Sequence, residues 1–150
     1  MIIHYKGIEE NRYDAPFLGT LIIAPACTRG CRGCCNEYLK SQPVQTIDSE
    51  ELLDKIKSDP FCEGIILAGL DPLTYPEEAY CLIEGAFVRN LQVILYTSHT
   101  EEEIKELYPQ LLTYKGLYIK VGEYDDTKIS HTYSSFGIPL ISTNQYIIKI

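Results

Sequence analysis

Long apolar runs are missing from this sequence: no stretch approaches the roughly 20 residues that span a membrane. No basic segment followed by an apolar one opens it at Met1-Ile2-Ile3-His4-Tyr5. These absences predict a soluble, cytoplasmic protein with no membrane partner. Positive charge is also scarce. With 13 Lys and Arg against 21 Asp and Glu, the net charge of −8 repels a phosphate backbone and excludes general nucleic-acid binding. No Gly-x-x-x-x-Gly-Lys loop, nucleophile elbow or His-Glu-x-x-His pair occurs. No repeat, low-complexity tract or linker divides the 150 residues, and 45% hydrophobic content suffices for one substantial core. Residues 1–150 are therefore expected to form one domain.

What the chain does have is a cluster of cysteines. Of six, at positions 27, 31, 34, 35, 62 and 81, four lie between Cys27 and Cys35. Three disulfides would suit a secreted protein, but nothing signals export, and local clustering in a reducing compartment favours a metal. Cys62 and Cys81, far from the cluster, are expected as small buried hydrophobes.

The surrounding pattern alternates strand and helix. Ile2 and Ile3 suggest an edge strand followed by a loop to Pro16. Residues 18–24 and 64–69 are aliphatic runs without polar alternation, which suits strands buried on both faces. Residues 91–97 and 116–121 are the third and fourth strands, with short extended candidates at 138–141 and 146–150. Capping patterns start helices at Asp48-Ser49-Glu50-Glu51, ending near Pro60, at Thr74-Tyr75-Pro76-Glu77, and at Thr100 with Glu103. Buried strands joined by helices imply right-handed crossovers. The predicted fold is α/β, a mainly parallel sheet with flanking helices forming an open or partial (β/α) barrel.

In such sheets ligands bind beyond the carboxyl ends of the strands. Three features fall there: the loop Cys27-Thr28-Arg29-Gly30-Cys31-Arg32-Gly33-Cys34, Gly69-Leu70-Asp71-Pro72, and Thr97-Ser98-His99. A structural zinc site needs four protein ligands, and the fourth would come from Cys35, Cys62, Cys81 or a histidine. An iron-sulfur cluster held by three cysteines would leave one iron open to an outside ligand. A loop that binds nothing is the third reading. Gly69 and Asp71 could simply turn the chain from strand to helix. His99 is expected as a solvated loop residue, Glu101-Glu102-Glu103 as an acidic helix start, and Asp125-Asp126 as a solvated turn.

Cys-x3-Cys-x2-Cys after a first strand resembles the cluster motif of radical S-adenosylmethionine enzymes. Over nearly its whole length the chain is similar to the activating protein of the anaerobic (class III) ribonucleotide reductase. Cys31-Arg32-Gly33-Cys34-Cys35-Asn36 resembles that family's Cys-x-Gly-Cys-Tyr-Asn, and Gly69-Leu70-Asp71-Pro72-Leu73 its Gly-Gly-Asp-Pro-Leu. Tyr96-Thr97-Ser98-His99 stands at its Trp/Tyr-Thr-Gly-Tyr, and Ser142-Thr143-Asn144-Gln145 matches its Ser-Ser-Asn-Gln. The departures are Cys35 for an aromatic residue, Leu70 for glycine, Val121-Gly122 for Asp-Gly, and Leu140 for arginine.

The resemblance implies a [4Fe-4S] cluster held by Cys27, Cys31 and Cys34, with S-adenosylmethionine on the open iron. Gly33, Cys35, Gly69, Leu70, Asp71 and Thr97 would be cofactor-binding, and no catalytic residue is implied beyond the cluster ligands. The implied reaction cleaves S-adenosylmethionine by one electron, yielding a radical that takes hydrogen from a glycine of the reductase large subunit. A flavodoxin or ferredoxin would donate the electron. Two other readings are a small radical enzyme with a different substrate, and a non-catalytic zinc or iron-sulfur module.

Overall fold

A computed structural model describes residues 1–31 and 33–150; Arg32, part of the motif quoted above, lies outside the described residues. Its strands and helices follow in the order β1 (Ile2–Tyr5), β2 (Gly7–Asn11), β3 (Gly19–Ile23), β4 (Gln45–Asp48), α1 (Ser49–Ser58) and β5 (Gly64–Ala68). Then come α2 (Pro76–Val88), β6 (Gln92–Tyr96), α3 (Glu101–Leu107), β7 (Tyr118–Val121), β8 (Ser134–Ser135), β9 (Ile138–Pro139) and β10 (Tyr146–Lys149). None of the described helices is long and apolar enough to cross a membrane.

The helix starts obey local chemistry. The Asp48 carboxylate accepts from the Glu50 and Glu51 N–H groups at the head of α1. Thr100 and Glu103 form the reciprocal capping box of α3. α2 departs from the expectation: it begins at Pro76 with no side-chain cap, and the Thr74 hydroxyl donates instead to the Ala26 carbonyl at 3.2 Å. Proline can open a helix unaided because its missing N–H would have had no partner there.

The main sheet has six strands in the order β10-β7-β6-β5-β3-β2. Its centre is parallel, with β3, β5, β6 and β7 side by side. Both edges are antiparallel, β2 on β3 and β10 on β7. The sheet is therefore mixed, not mainly parallel as expected, and this order does not show the expected barrel. The physical reason lies in the connections. Residues 12–18 are too few for a crossover, so β2 returns as a hairpin partner of β3, and the chain from β7 to β10 contains no helix to cross with.

The edge strand expected at Ile2 and Ile3 is likewise reassigned. β1 pairs with β4 in a separate two-stranded ribbon, Ile3 opposite Ile47, and the sheet edge is β2, which was read as loop. The extended candidate at 138–141 shrinks to a two-residue strand in a hairpin turned by Phe136 and Gly137, both at positive φ (53° and 74°).

Burial on both faces explains the unbroken apolar strands. Ile65, Leu67, Val93, Leu95, Ile119 and Val121 face one way and pack with Leu52, Leu53, Ile83, Ala86 and Ile104 of the helices. Their neighbours Ile66, Ala68 and Ile94 face the other way, where Phe17, Ile138, Leu140 and Ile147 cover them. Helices thus cover one face, and irregular segments with the β8–β9 hairpin cover the other.

Candidate functional site

A cavity of about 420 Å³ opens at the carboxyl ends of the parallel strands. Cys27, Cys31, Cys34 and Cys35 line it on the β3 side, Gly69, Leu70 and Asp71 beyond β5, Thr97 and Ser98 beyond β6, and Gly122 beyond β7. Four stretches, each more than twenty residues from the next, therefore share one space, as strand-end placement predicts. Gly33 does not line it; its φ of +66° lets the chain turn between Cys31 and Cys34, where the Cys34 N–H donates to the Cys31 carbonyl at 3.2 Å.

Three tethers hold the cysteine loop. Before it, the Ala26 carbonyl accepts from the Asp71 N–H at 3.0 Å and from Thr74. Within it, the Arg29 guanidinium reaches Glu103 at 2.8 Å and Glu123 at 3.2 Å. After it, the Asn36 amide donates to the Gly69 carbonyl at 2.6 Å. Gly69 accepts this close packing because it sits at φ +91°, where a Cβ would fall 2.7 Å from Ile23. Leu70, the departure from glycine, is buried with Ile23, Ala24 and Leu39 in a small apolar cluster.

Asp71 and Thr97 are saturated by the protein itself. One Asp71 oxygen accepts from the Leu73 N–H at 3.0 Å; the other accepts from the Thr97 hydroxyl at 3.0 Å, the Ser98 N–H at 2.9 Å and the Ser98 hydroxyl at 2.7 Å. The Thr97 hydroxyl in turn accepts from the His99 N–H at 3.2 Å. These side chains fix the wall of the cavity by joining the loops after β5 and β6. The turn reading and the cavity reading of Asp71 thus describe one carboxylate.

His99 is not the solvated residue expected. Its Nδ1 lies 3.0 Å from Glu103, its ring meets Tyr108 edge-on, and only 18% of the side chain is exposed. The hydrogen bond from His99, helped by the Thr100 N–H and the Arg29 charge, holds the Glu103 carboxyl below its usual range. Asp125 accepts from the Thr127 N–H and hydroxyl in the turn that was predicted, but Asp125 and Asp126 are half-buried, not solvated as expected. Cys62 and Cys81 are half-buried; Cys62 donates to the Gly64 carbonyl at the opposite ends of the strands and Cys81 to Ser49. Neither lines the cavity, so neither supplies a fourth ligand there.

Two cavity-lining positions were not singled out as site residues in the sequence. Gln145, in the matched Ser-Thr-Asn-Gln segment, is buried, lines the cavity and donates to the Gly122 carbonyl at 3.4 Å. Lys120 lies in β7 yet is only 7% exposed, and its ammonium donates to the same carbonyl at 2.9 Å. Burial pulls the Lys120 ammonium down to about 8, against the charges of Asp71, Cys35, Cys31 and Cys27. The alternation of β7 was the available signal: a lysine between Ile119 and Val121 in a central strand must point to a covered face.

The donor set fits an iron-sulfur centre. Burial pushes the Cys31 thiol up, and negative charge at Glu123, Cys34 and Cys27 pushes it further, so the metal-free loop disfavours a thiolate at Cys31 through mutual repulsion. A cationic centre between them would reverse that repulsion. Among the described residues, no three His, Cys, Asp or Glu side chains are gathered to hold one ion. Thiolates on one zinc stand about 3.8 Å apart, as bonds of about 2.3 Å in a tetrahedron require, whereas a cluster takes a wider set. A family model described as a 4Fe-4S single cluster domain matches residues 19–148. No curated protein and no solved structure matches the chain.

Proposed function

Because the chain belongs to the 4Fe-4S single cluster domain family, we propose that it is a radical S-adenosylmethionine activase whose Cys27, Cys31 and Cys34 hold a [4Fe-4S] cluster. The observation that carries this reading is the convergence of those cysteines with the loops after β5, β6 and β7 on one cavity. The order of motifs along the chain supports the same assignment. When bound, the cluster supplies one low-potential electron for cleavage of the sulfonium of S-adenosylmethionine.

The protein's part is orientation and exclusion of water. Leu21, Ile23, Leu70 and Leu140 give the cavity apolar surface, which keeps quenching water from a reacting sulfonium. Asp71 holds Thr97 and Ser98 in place, so the far wall is fixed before any ligand enters. Cys35 stands where the resemblance has an aromatic residue, and as an exposed residue lining the cavity it leaves that side open. The substrate proposed is the glycyl-radical subunit of an anaerobic ribonucleotide reductase, with a flavodoxin or ferredoxin as electron donor in the cytoplasm.

The test is anaerobic reconstitution with iron and sulfide, reduction by dithionite, and addition of S-adenosylmethionine. Formation of 5'-deoxyadenosine in wild type but not in Cys31→Ala is expected. A colourless protein that retains one zinc contradicts the proposal. With cleavage in hand, a glycyl radical signal on added reductase subunit identifies the partner; silence there favours a different substrate for the same chemistry.

A further inference from the structure

The charges around the cavity are one-sided. Among the described residues that line it, Glu9, Asp14 and Asp71 carry carboxylates, Cys27, Cys31, Cys34 and Cys35 carry thiols, and Lys120 is the one cation. An ammonium has three N–H donors. That of Lys120 makes one described hydrogen bond, to the Gly122 carbonyl, and stands 5.7 Å from the centroid of the Tyr96 ring. Among the described residues no carboxylate forms an ion pair with it, and Asp71, whose charge does act on it, has its oxygens engaged by Leu73, Thr97 and Ser98. A lysine this buried is costly unless negative charge compensates it. Asp71 supplies part of that charge, and a negative group filling the cavity would supply the rest. Resting on the reading that Cys27, Cys31 and Cys34 hold a cluster, we propose that Lys120 is the counter-cation of that centre and sets its affinity for an electron.

Three thiolates leave such a centre net negative, and an added electron makes it more so. In a partly buried site that electron is opposed by every neighbouring carboxylate and favoured by a fixed ammonium. Lys120 reaches the centre through its field and makes no bond to iron, which makes it a positioning residue. Its stem is held by β7, whose backbone pairs with β6 and β10, so the charge sits at a fixed place. One electron from an added reductant enters the centre, and no bond forms or breaks.

Wild type, Lys120→Met, Lys120→Gln and Lys120→Arg are reconstituted anaerobically, with no S-adenosylmethionine present, and iron content is read first. Each is then poised with redox mediators at the potential that holds wild type half reduced, and the reduced fraction is read by paramagnetic resonance. The reduced-to-oxidised ratio is expected to fall about tenfold in Lys120→Met and Lys120→Gln, as for loss of one unit charge several ångström away. Lys120→Arg is expected to stay within about threefold of wild type. A centre that assembles in wild type and Lys120→Arg but in neither neutral variant gives the same answer, that the positive charge is required. Ratios equal to wild type in both neutral variants overturn the counter-cation role while leaving the cysteine assignment standing. A fall in Lys120→Arg as deep as in Lys120→Met overturns it as well, because shape and not charge would then matter. Wild type that takes up no iron overturns the cysteine assignment and this inference together.

Discussion

The loops at the carboxyl ends of β3 and of β5 and β6 face each other across one cavity, yet they are built on opposite principles. Beyond β5 and β6, every oxygen of the Asp71 carboxylate has protein donors, and Thr97 is 2% exposed. Beyond β3, the cysteine loop is tied at Ala26, Arg29 and Asn36, while its thiols make no strong protein contacts among the described residues; Cys27 comes no nearer than 4.0 Å to the Arg29 carbonyl. One side is a finished wall. The other is a set of thiols without strong partners among the described residues, and the difference separates groups that support the cavity from the groups proposed to bind the cluster.

The sharpest way to break this comparison is to remove one thiol. Cys31→Ala is expected to lower iron and sulfide uptake from about four of each per chain to a small fraction, as loss of one of three ligands requires. Its metal-free stability should stay within about 0.5 kcal/mol of wild type, because that thiol supports nothing. Iron analysis and urea unfolding read both halves; a large loss of stability would place Cys31 in the wall.

Asp71→Ala tests the opposite half. It strips four acceptor contacts and leaves the buried Thr97 donor and the half-buried Ser98 donors without partners, so a destabilisation of about 3 kcal/mol is expected in urea unfolding of the metal-free protein at pH 7. A cost below about 1 kcal/mol would show that the wall does not depend on this carboxylate.

Lys120 belongs to neither side, and pH exposes it. Its folded pKa of about 8 lies below the ordinary 10.5, so the unfolded chain binds the proton more tightly. Below pH 8 the full cost of burying the charge is present; it is relieved as pH rises from 8 to 10.5, where stability increases on this account. The difference between 10.5 and about 8 corresponds to about 3 kcal/mol at most. Metal-free Lys120→Met should therefore exceed wild type in stability at pH 7, with an advantage that shrinks toward pH 10.5. Comparing the two at each pH cancels the titration of the thiols. A constant difference across that range contradicts the assignment.

Arg29→Ala is expected to cost only about 1 kcal/mol or less, because its ion pairs with Glu103 and Glu123 are partly exposed and screened by salt. Glu103, held below its usual carboxyl range, favours the fold fully above pH 4.5, and that contribution is lost as pH falls through its lowered folded value. The effect of Arg29→Ala should show as faster amide exchange or proteolysis across residues 27–36 and not across 69–74. Equal loosening of both loops would erase the contrast between them.

The same contrast governs what could be read from sequence. The central strands and the starts of α1 and α3 were legible because their signals are local: apolar runs, an Asp48 cap, and Thr100 paired with Glu103. So were the cysteines, whose spacing is itself the signal. The partnership of Asp71 with Thr97 and Ser98 was not legible, because it joins residues 26 and 27 positions apart through a parallel pairing that no local pattern records. The covering of the second sheet face by Phe17, Ile138 and Leu140 depends on irregular segments without periodicity. The mixed sheet escaped for a related reason: strands were read one at a time, and direction is set by the lengths of the connections between them. His99 looked like a loop residue until Arg29 and Glu103 were seen to surround it.

The central claim is that three cysteines of the open loop hold a four-iron centre with one position left for a ligand. Mössbauer spectroscopy of protein reconstituted with iron-57, recorded with and without S-adenosylmethionine, tests it most directly. The account predicts that one iron of about four changes its isomer shift when S-adenosylmethionine is added while the others do not. A spectrum of four sulfur-ligated irons that S-adenosylmethionine leaves unchanged, or one that survives intact in Cys31→Ala, would contradict it.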